Sequence, residues 1–285
     1  MWANFHGIPM VGDDVEIRVL REDDLAFVDE LVQSAGWNQL RADWLRVLCY
    51  DPNGCFAAFS GERLIGTVTT TTYGKDLAWI GMMLVHPELR RRGIATALMR
   101  QSIAYLSDHD VECIKLDATP EGQFVYEQLG FVAEWKFHRW ERSADQPSQT
   151  IRPNQAGSQI GQLDWLDRFA FGADRSAFLN SLDEVSFTIS NEDGFGMIRS
   201  GRRASYLGPV TAGTTESAEH ILRGLVGPPA GRIFWDIPGP NTAAQTLAKQ
   251  LGFHPIRDLT RMKFGQMLTT PDISMQFAIA GPESG

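Results

Sequence analysis

Residues Trp79 to Leu106, WIGMMLVHPELRRRGIATALMRQSIAYL, constrain the fold more than any other stretch of this chain. The apolar run Trp79–Val85 has the length of a buried strand, and His86-Pro87 ends its ladder because proline supplies no amide donor. A basic turn follows, Arg90-Arg91-Arg92-Gly93-Ile94-Ala95. Then Ala95, Leu98, Met99, Ile103 and Leu106 recur at the spacing of one helical face. A strand that passes through a glycine-containing turn into a helix leaves the first helical N–H groups pointing outward, where the macrodipole adds positive potential. Gly93 and Ala95 let a phosphate approach the main chain closely, and the arginines add charge. The segment reads as an anion cradle between a strand and an amphipathic helix.

The flanking sequence extends this unit. Val15–Leu20 alternates as a strand, and Asp23-Asp24 opens a helix carrying Leu25, Val28, Leu31 and Val32. After the break at Trp37-Asn38-Gln39 a second helix carries Leu40, Trp44, Leu45 and Leu48. Cys55–Phe59 and Leu64–Tyr73 read as an antiparallel pair. Beyond the cradle helix come a short strand, Cys113–Leu116, ending at Asp117, a helix over Glu121–Leu129 closed by Gly130, and a strand over Phe131–Trp140.

Ser143–Gly161 is polar and reads as a linker. Strand-like runs at Val185–Ser190, Gly194–Ser200 and Ala204–Val210 follow, then a helix around Glu216–Val226. A strand over Arg232–Ile237 and a helix over Asn241–Gln250 lead to Leu251-Gly252-Phe253. The front segment IKLDATPEGQFVYEQLGF and the back segment IFWDIPGPNTAAQTLAKQLGF share a layout: apolar strand ending in Asp, proline turn, helix, Leu-Gly-Phe. Such self-similarity implies an internal duplication.

Arg90-x-x-Gly93-x-Ala95, preceded by Val85-x-Pro87, resembles the acyl-CoA pyrophosphate loop (Q/R-x-x-G-x-G/A) of the GNAT N-acetyltransferase superfamily. The front element order, β-α-α-β-β-β-α-β-α-β, is that of the GNAT fold. The implied class is α/β (α+β), with tandem GNAT-like domains, each a mixed, mostly antiparallel sheet flanked by helices. Residues 1–142 form the catalytic domain, 143–162 the linker and 163–285 a degenerate GNAT-like domain. The back copy has no cation between strand and helix in GPVTAGTTESAEH, so one cofactor per chain is expected.

The resemblance implies acetyl-CoA as co-substrate. Its diphosphate would sit on Arg90, Arg91, Arg92, Gly93, Ile94, Ala95 and Thr96, and its pantetheine arm beside Met83, Leu84 and Val85, paired like an added strand. The family helix motif N-x-x-A-x-x-x-Y-x-x-x-G-F appears as Thr119, Gly122 and Tyr126, so Thr119 and Tyr126 join the cofactor set. Tyr126 is also the proposed acid for the leaving thiolate, since a phenol near about 10 lies above a thiol near about 8.5. The strand position four before Val85, often a carboxylate in relatives, is Gly81. Asp117 is taken as the substitute base, with Glu134, His138 and Asp76 as alternatives, whereas His86 reads as structural. Trp37 and Asn38 are expected to wall the acceptor site, with Thr69–Thr72, Tyr206 and Trp235 as further contributors.

Composition narrows the partners. Residues 1–146 hold 14 Lys and Arg against 22 Asp and Glu, which argues against nucleic acid or an anionic membrane and favours a cationic acceptor, a small-molecule amine. No apolar run reaches the roughly 18 residues of a membrane span, and the first ten residues lack a secretory layout. Cys49, Cys55 and Cys113 fit neither a disulfide framework nor a zinc site, so no metal is expected and a reducing cytoplasm suits the chain. The reading is transfer of an acetyl group to a primary amine, by a monomer or homodimer. A longer acyl group, O-acylation and a non-catalytic acyl-CoA sensor stay open.

Overall fold

The computed structural model describes residues 14–143, 151–154, 160–227 and 231–285. The N-terminal stretch read for a signal, and most of the expected linker, lie outside the described residues. The front elements are β1 (Val15–Val19), α1 (Leu25–Ser34), α2 (Arg41–Tyr50), β2 (Phe56–Ser60), β3 (Arg63–Tyr73), β4 (Leu77–Val85), α3 (Ile94–Asp108), β5 (Cys113–Ala118), α4 (Pro120–Gln128) and β6 (Val132–Arg142). The back elements are α5 (Asp164–Phe171), α6 (Ser176–Asp183), β7 (Ser186–Asn191), β8 (Gly194–Arg199), β9 (Ser205–Ala212), α7 (Thr215–Leu225), β10 (Ile233–Ile237), α8 (Thr242–Gln250), β11 (His254–Gly265) and β12 (Gln276–Ala278). The short helices α5 and α6 and the strands β11 and β12 have no counterpart in the sequence reading. Among the described residues no helix is long and apolar enough to cross a membrane.

All strands join one sheet, in the order β1-β2-β3-β4-β5-β11-β6-β10-β9-β8-β7, with β12 added against β9. Only β4–β5 and β9–β10 run parallel. The two halves are therefore not separate sheets. Each sends its last long strand into the other: β11 pairs with β5, and β6 pairs with β10. The sequence could not decide this, because β6 and β11 occupy equivalent places in the duplication and either satisfies the hydrogen-bond edge of β5 or β10.

Apolar periodicity places the helices. Ile94, Leu98, Met99, Ile103 and Leu106 of α3 pack on Ala78, Ile80 and Val85 of β4 and on Ile114 and Leu116 of β5. On the opposite face α1 and α2 cover Met82 and Leu84 with Leu25, Val28, Val32 and Trp44. Next along that face α5 and α6 close over Tyr73, Leu77 and Trp79 with Phe171, Phe178 and Leu179. In the back half α7 and α8 bury Trp235, Ile233 and Leu207.

Two buried ion pairs hold the exchanged strands. Arg261 of β11 stands opposite Asp117 of β5 and donates from Nε and Nη2 to its two oxygens at 2.9 and 2.8 Å. Arg139 of β6 stands opposite Asp236 of β10 and repeats the fork at 2.8 and 2.7 Å. Arg261 lies between the rings of Trp79 and Trp135, 4.4 and 4.5 Å from their centroids. Removing one member of such a pair strands the other charge in the interior. Arg261→Met is expected to lower stability by about 3–5 kcal/mol, and adding Asp117→Leu to recover much of the loss. Chemical denaturation of both variants checks this. Calorimetry of the unaltered chain should give one transition, and two well-separated transitions would contradict the interlocked sheet.

Candidate active site

The site begins where β4 and β5 part. They pair at Ala78↔Ile114 and Trp79↔Lys115 and nowhere beyond. From Ile80 to Val85 the β4 edge toward β5 carries no strand partner. On the other edge the register with β3 passes from Gly81↔Thr69 to Leu84↔Thr67, so β4 holds one extra residue there. Met82 takes a φ of 47° at this bulge, a left-handed conformation rare outside glycine. Bulges re-aim main-chain groups and gather at functional sites. The main chain of Met83, Leu84 and Val85 is thus offered to the gap.

That edge runs into the cradle. Arg91 at φ 62° and Gly93 at φ 83° coil the chain into the start of α3. The helix opens without a side-chain cap, and the first amide to turn inward is that of Ala97, onto the Gly93 carbonyl at 2.9 Å. A Cβ built on Gly93 meets nothing within 4 Å, so the space before the helix is open. Arg90, Arg91 and Arg92 are exposed around it.

Helix α4 faces this region from β5. Thr119 caps it, accepting from the Gly122 amide at 3.2 Å, and Pro120 fills its first turn. Tyr126 packs at an edge of Phe131, with ring centroids 6.3 Å apart. A Cβ on Gly122 would come within 3.1 Å of the Tyr126 ring, so the glycine makes room for the tyrosine. Burial pushes the phenol up to about 12, so it keeps its proton at neutral pH.

On the opposite face of β4 the back half intervenes. After β12 the chain turns through Gly281–Gly285 and lies on Trp79 and Gly81. Trp79 Nε1 donates to the Pro282 carbonyl at 3.0 Å, and Tyr73 Oη to that of Ser284 at 2.7 Å. Arg175, itself forked onto Asp167, donates to the Gly285 main-chain oxygen at 2.8 Å. Glu283 reaches from this turn into a cavity whose walls include Gln39, Asp43, Arg139, Arg199 and Tyr206. The two halves thus share one concavity behind the open strand.

The comparisons agree with this geometry. The model described as Acetyltransferase (GNAT) family matches residues 19–131, and the one described as Acetyltransferase (GNAT) domain matches residues 164–278. The chain is a tandem GNAT acetyltransferase. It is 26% identical, over 84% of its own length and 88% of the relative's, to the uncharacterised N-acetyltransferase YitH of Bacillus subtilis (strain 168). Its fold is similar to that of a putative acetyltransferase from Pyrococcus horikoshii, with a TM-score of 0.83 and 24% identity, over 98% of this chain and 99% of that one. It is also similar in fold to a tandem GNAT protein from the clavulanic acid biosynthesis pathway, with a TM-score of 0.60 and 14% identity, over 88% and 98% of the two chains.

In this tandem GNAT enzyme, an acyltransferase, several expected residues sit elsewhere than their assigned tasks require. Asp117 has both oxygens on Arg261 and is closed to solvent, so it serves the sheet and is not available as a base. Glu134 is held by Lys115 and Lys263 at 2.9 and 3.4 Å, and His138 pairs with Asp258 at 2.8 Å on the surface. Asp76 lies in the β3–β4 turn, at the far end of β4 from the cradle. Asn38 does line the cavity, but its amide binds the back half, accepting from the Arg203 and Ala204 amides and donating to the Ala204 carbonyl. Trp37 packs against the α1–α2 core. Tyr206 reaches the cavity, whereas Trp235 is fully buried in the back core.

Sequence reasoning missed Glu283. A glycine inside a buried strand was its signal: Gly81 is where the Glu283 backbone touches down. A Cβ at Gly81 would fall 2.4 Å from the Glu283 carbonyl oxygen. Gly81→Ala is therefore expected to displace the 281–285 turn and lower stability by about 1–3 kcal/mol, as overpacking does. Thermal unfolding of this variant, with amide exchange across 281–285, would show whether the turn has moved.

Proposed function

We propose that this GNAT protein transfers the acetyl group of acetyl-CoA to a primary amine of a small molecule by direct attack on the thioester. One observation carries the reading: an unpaired, bulged strand edge leads straight into an uncapped, arginine-flanked helix start. An extended arm ending in a diphosphate fits that sequence of surfaces. The arm's amides can pair with the main chain of Met83, Leu84 and Val85, and the anion can rest on the amides from Ile94 to Thr96 with Arg90, Arg91 and Arg92 around it. A main-chain N–H beside the bulge would also meet the oxyanion that develops on the thioester carbonyl.

Tyr126 is assigned to the leaving sulfur. Its hydroxyl carries its proton throughout the neutral range and makes no hydrogen bond to any described residue, so it can donate to the departing thiolate. Thr119 shapes this region through the cap of α4.

The back half supports a single cofactor per chain. The β9 edge, equivalent to the open edge of β4, is covered by β12 through Gln276↔Thr211 and Ala278↔Val210. The start of α7 is capped by Thr214, which accepts from Ser217 N at 3.2 Å. Neither a free edge nor an uncapped helix start is offered there.

Titration with acetyl-CoA is expected to saturate at one equivalent. Combined Arg90→Glu, Arg91→Glu and Arg92→Glu substitutions should weaken binding by roughly tenfold or more, because each charged hydrogen bond is worth about 1.5–3 kcal/mol. Tyr126→Phe should lower the rate of thiol release by about 10²-fold and weaken acetyl-CoA binding far less. Saturation at two equivalents, or binding indifferent to the arginines, would end this reading. Binding without thiol release across a broad amine panel would mark a sensor instead.

A further inference from the structure

We infer that the back half acts on the transfer step by clamping the turn between α1 and α2, with Asn38 as the positioning residue through which it acts. The inference rests on the acetyl-CoA reading above, and it gives the back half a task in that reaction.

The turn, residues 35–40, belongs to the front half by sequence, but the other half satisfies its buried amide. Asn38 is buried, and among the described residues its side chain bonds to the loop between β8 and β9. Its Oδ1 accepts from the Arg203 and Ala204 amides at 2.9 and 3.0 Å, and its Nδ2 donates to the Ala204 carbonyl at 3.0 Å. Its main-chain oxygen accepts from the Arg202 amide at 2.8 Å. The Arg203 guanidinium donates from Nη1 to the Gly36 carbonyl, also at 2.8 Å. Gly201 makes the socket: a Cβ there would collide with Asn38 Nδ2 and the Ala204 carbonyl oxygen. The amide is the anchor. The Arg202–Asp29 ion pair beside it is partly exposed on both sides, where such pairs contribute little. A buried amide stripped of its partners costs far more.

What the clamp holds is packed against the chemistry. Leu31 and Val32 in the last turn of α1, and Trp44 in the first turn of α2, flank the clamped residues. They share one buried cluster with Met82 and Leu84 of β4. Met82 is the residue with the left-handed φ at the bulge. Its side chain lies among the two helices, and its main chain leads into the Met83–Val85 edge offered to the thioester arm. A shift of the turn therefore reaches the bulge through close-packed side chains, which leave no void to absorb it. The cradle lies beyond His86-Pro87, and none of its residues belongs to this cluster. The clamp thus bears on where the thioester carbonyl meets its main-chain donor, and not on how tightly the diphosphate is held. Such an interaction speeds the reaction because it is made in the transition state.

The test uses the full chain. Asn38→Ala empties the socket from the front half, and Gly201→Ala overfills it from the back. In both, kcat for thiol release from acetyl-CoA with a panel of primary amines should fall by about tenfold or more, as a small misplacement far from the reacting atoms can cause. The Kd of acetyl-CoA should stay at the parent value. Asn38→Asp, which keeps an oxygen for both main-chain amides, should retain more of kcat than Asn38→Ala. In Asn38→Ala, amide hydrogen exchange should quicken across residues 35–40 and, by transmission, across 82–85. Full kcat in the folded variants, or acetyl-CoA affinity lost in step with kcat, would overturn this inference and leave the cofactor reading standing. Exchange across 82–85 at the parent rate would overturn it too, and that readout needs no acceptor. Failure of the unaltered chain to bind acetyl-CoA or to release thiol would remove the transfer reading, with the exchange result still deciding the clamp.

Discussion

Two Arg–Asp forks decide how this chain can fold. Asp117 and Asp236 end equivalent strands of the two halves, and each is buried where an unpaired carboxylate would be heavily penalised by lost hydration. Neither half supplies a cation to its own aspartate, although Tyr206 also donates to Asp236 at 2.9 Å. Arg261 of the back half comes to Asp117, and Arg139 of the front half comes to Asp236. Well-packed apolar side chains could match such pairs in stability, so their distinctive effect is on register. A strand shifted by one residue would turn its arginine to the other face and leave the aspartate bare. The exchange of β6 and β11 is thereby tied to a single alignment.

The exchange has a consequence for the site. Because β11 and β6 fill the centre of one sheet, the back half cannot swing away from β4. Its closing segment is drawn across the front half at Tyr73, Trp79 and Gly81. Duplication supplied two copies of a parted strand pair, and the copies diverged in opposite senses. In the front copy the β4 edge stays open. In the back copy β12 closes the β9 edge, and the same stretch of chain then lays Glu283 across Gly81 of the front copy. Closing one strand and backing the other are the work of ten consecutive residues.

Much of this was legible in the residues, and the rest failed for identifiable reasons. The β4–cradle–α3 unit was plain because strand length, a proline stop, glycine and helical spacing all pointed the same way. The exchange was not, since β6 and β11 share one pattern and periodicity says nothing of partners. A sharper comparison could have found the forks: Arg139 follows Phe131, and Arg261 follows Phe253, by the same number of residues, and both copies keep the strand-ending Asp. Two charges repeated in register inside apolar strands imply buried partners. Asp117 and Asp236 both end apolar strands in the sequence, but nothing local to either shows the arginine that stands opposite it in the sheet. The helices α5 and α6 are too short for a clear period, and the burial of Gly281–Gly285 depends on tertiary contacts that no local pattern announces.

Arg139 sits on both sides of this account. Two of its nitrogens fix the exchanged sheet, and the same side chain helps to line the cavity between the halves, so one guanidinium serves both register and cavity wall. A guanidinium pinned by a bidentate fork keeps little freedom of its own, which fixes that wall of the cavity. The cradle and open edge lie within the front half, but the cavity beside Glu283 has walls from both. A front half alone would keep the surfaces that suit a diphosphate and lose Arg199, Tyr206 and Glu283 together. In this chain the second domain is therefore a structural part of that cavity and of the sheet that carries the open strand.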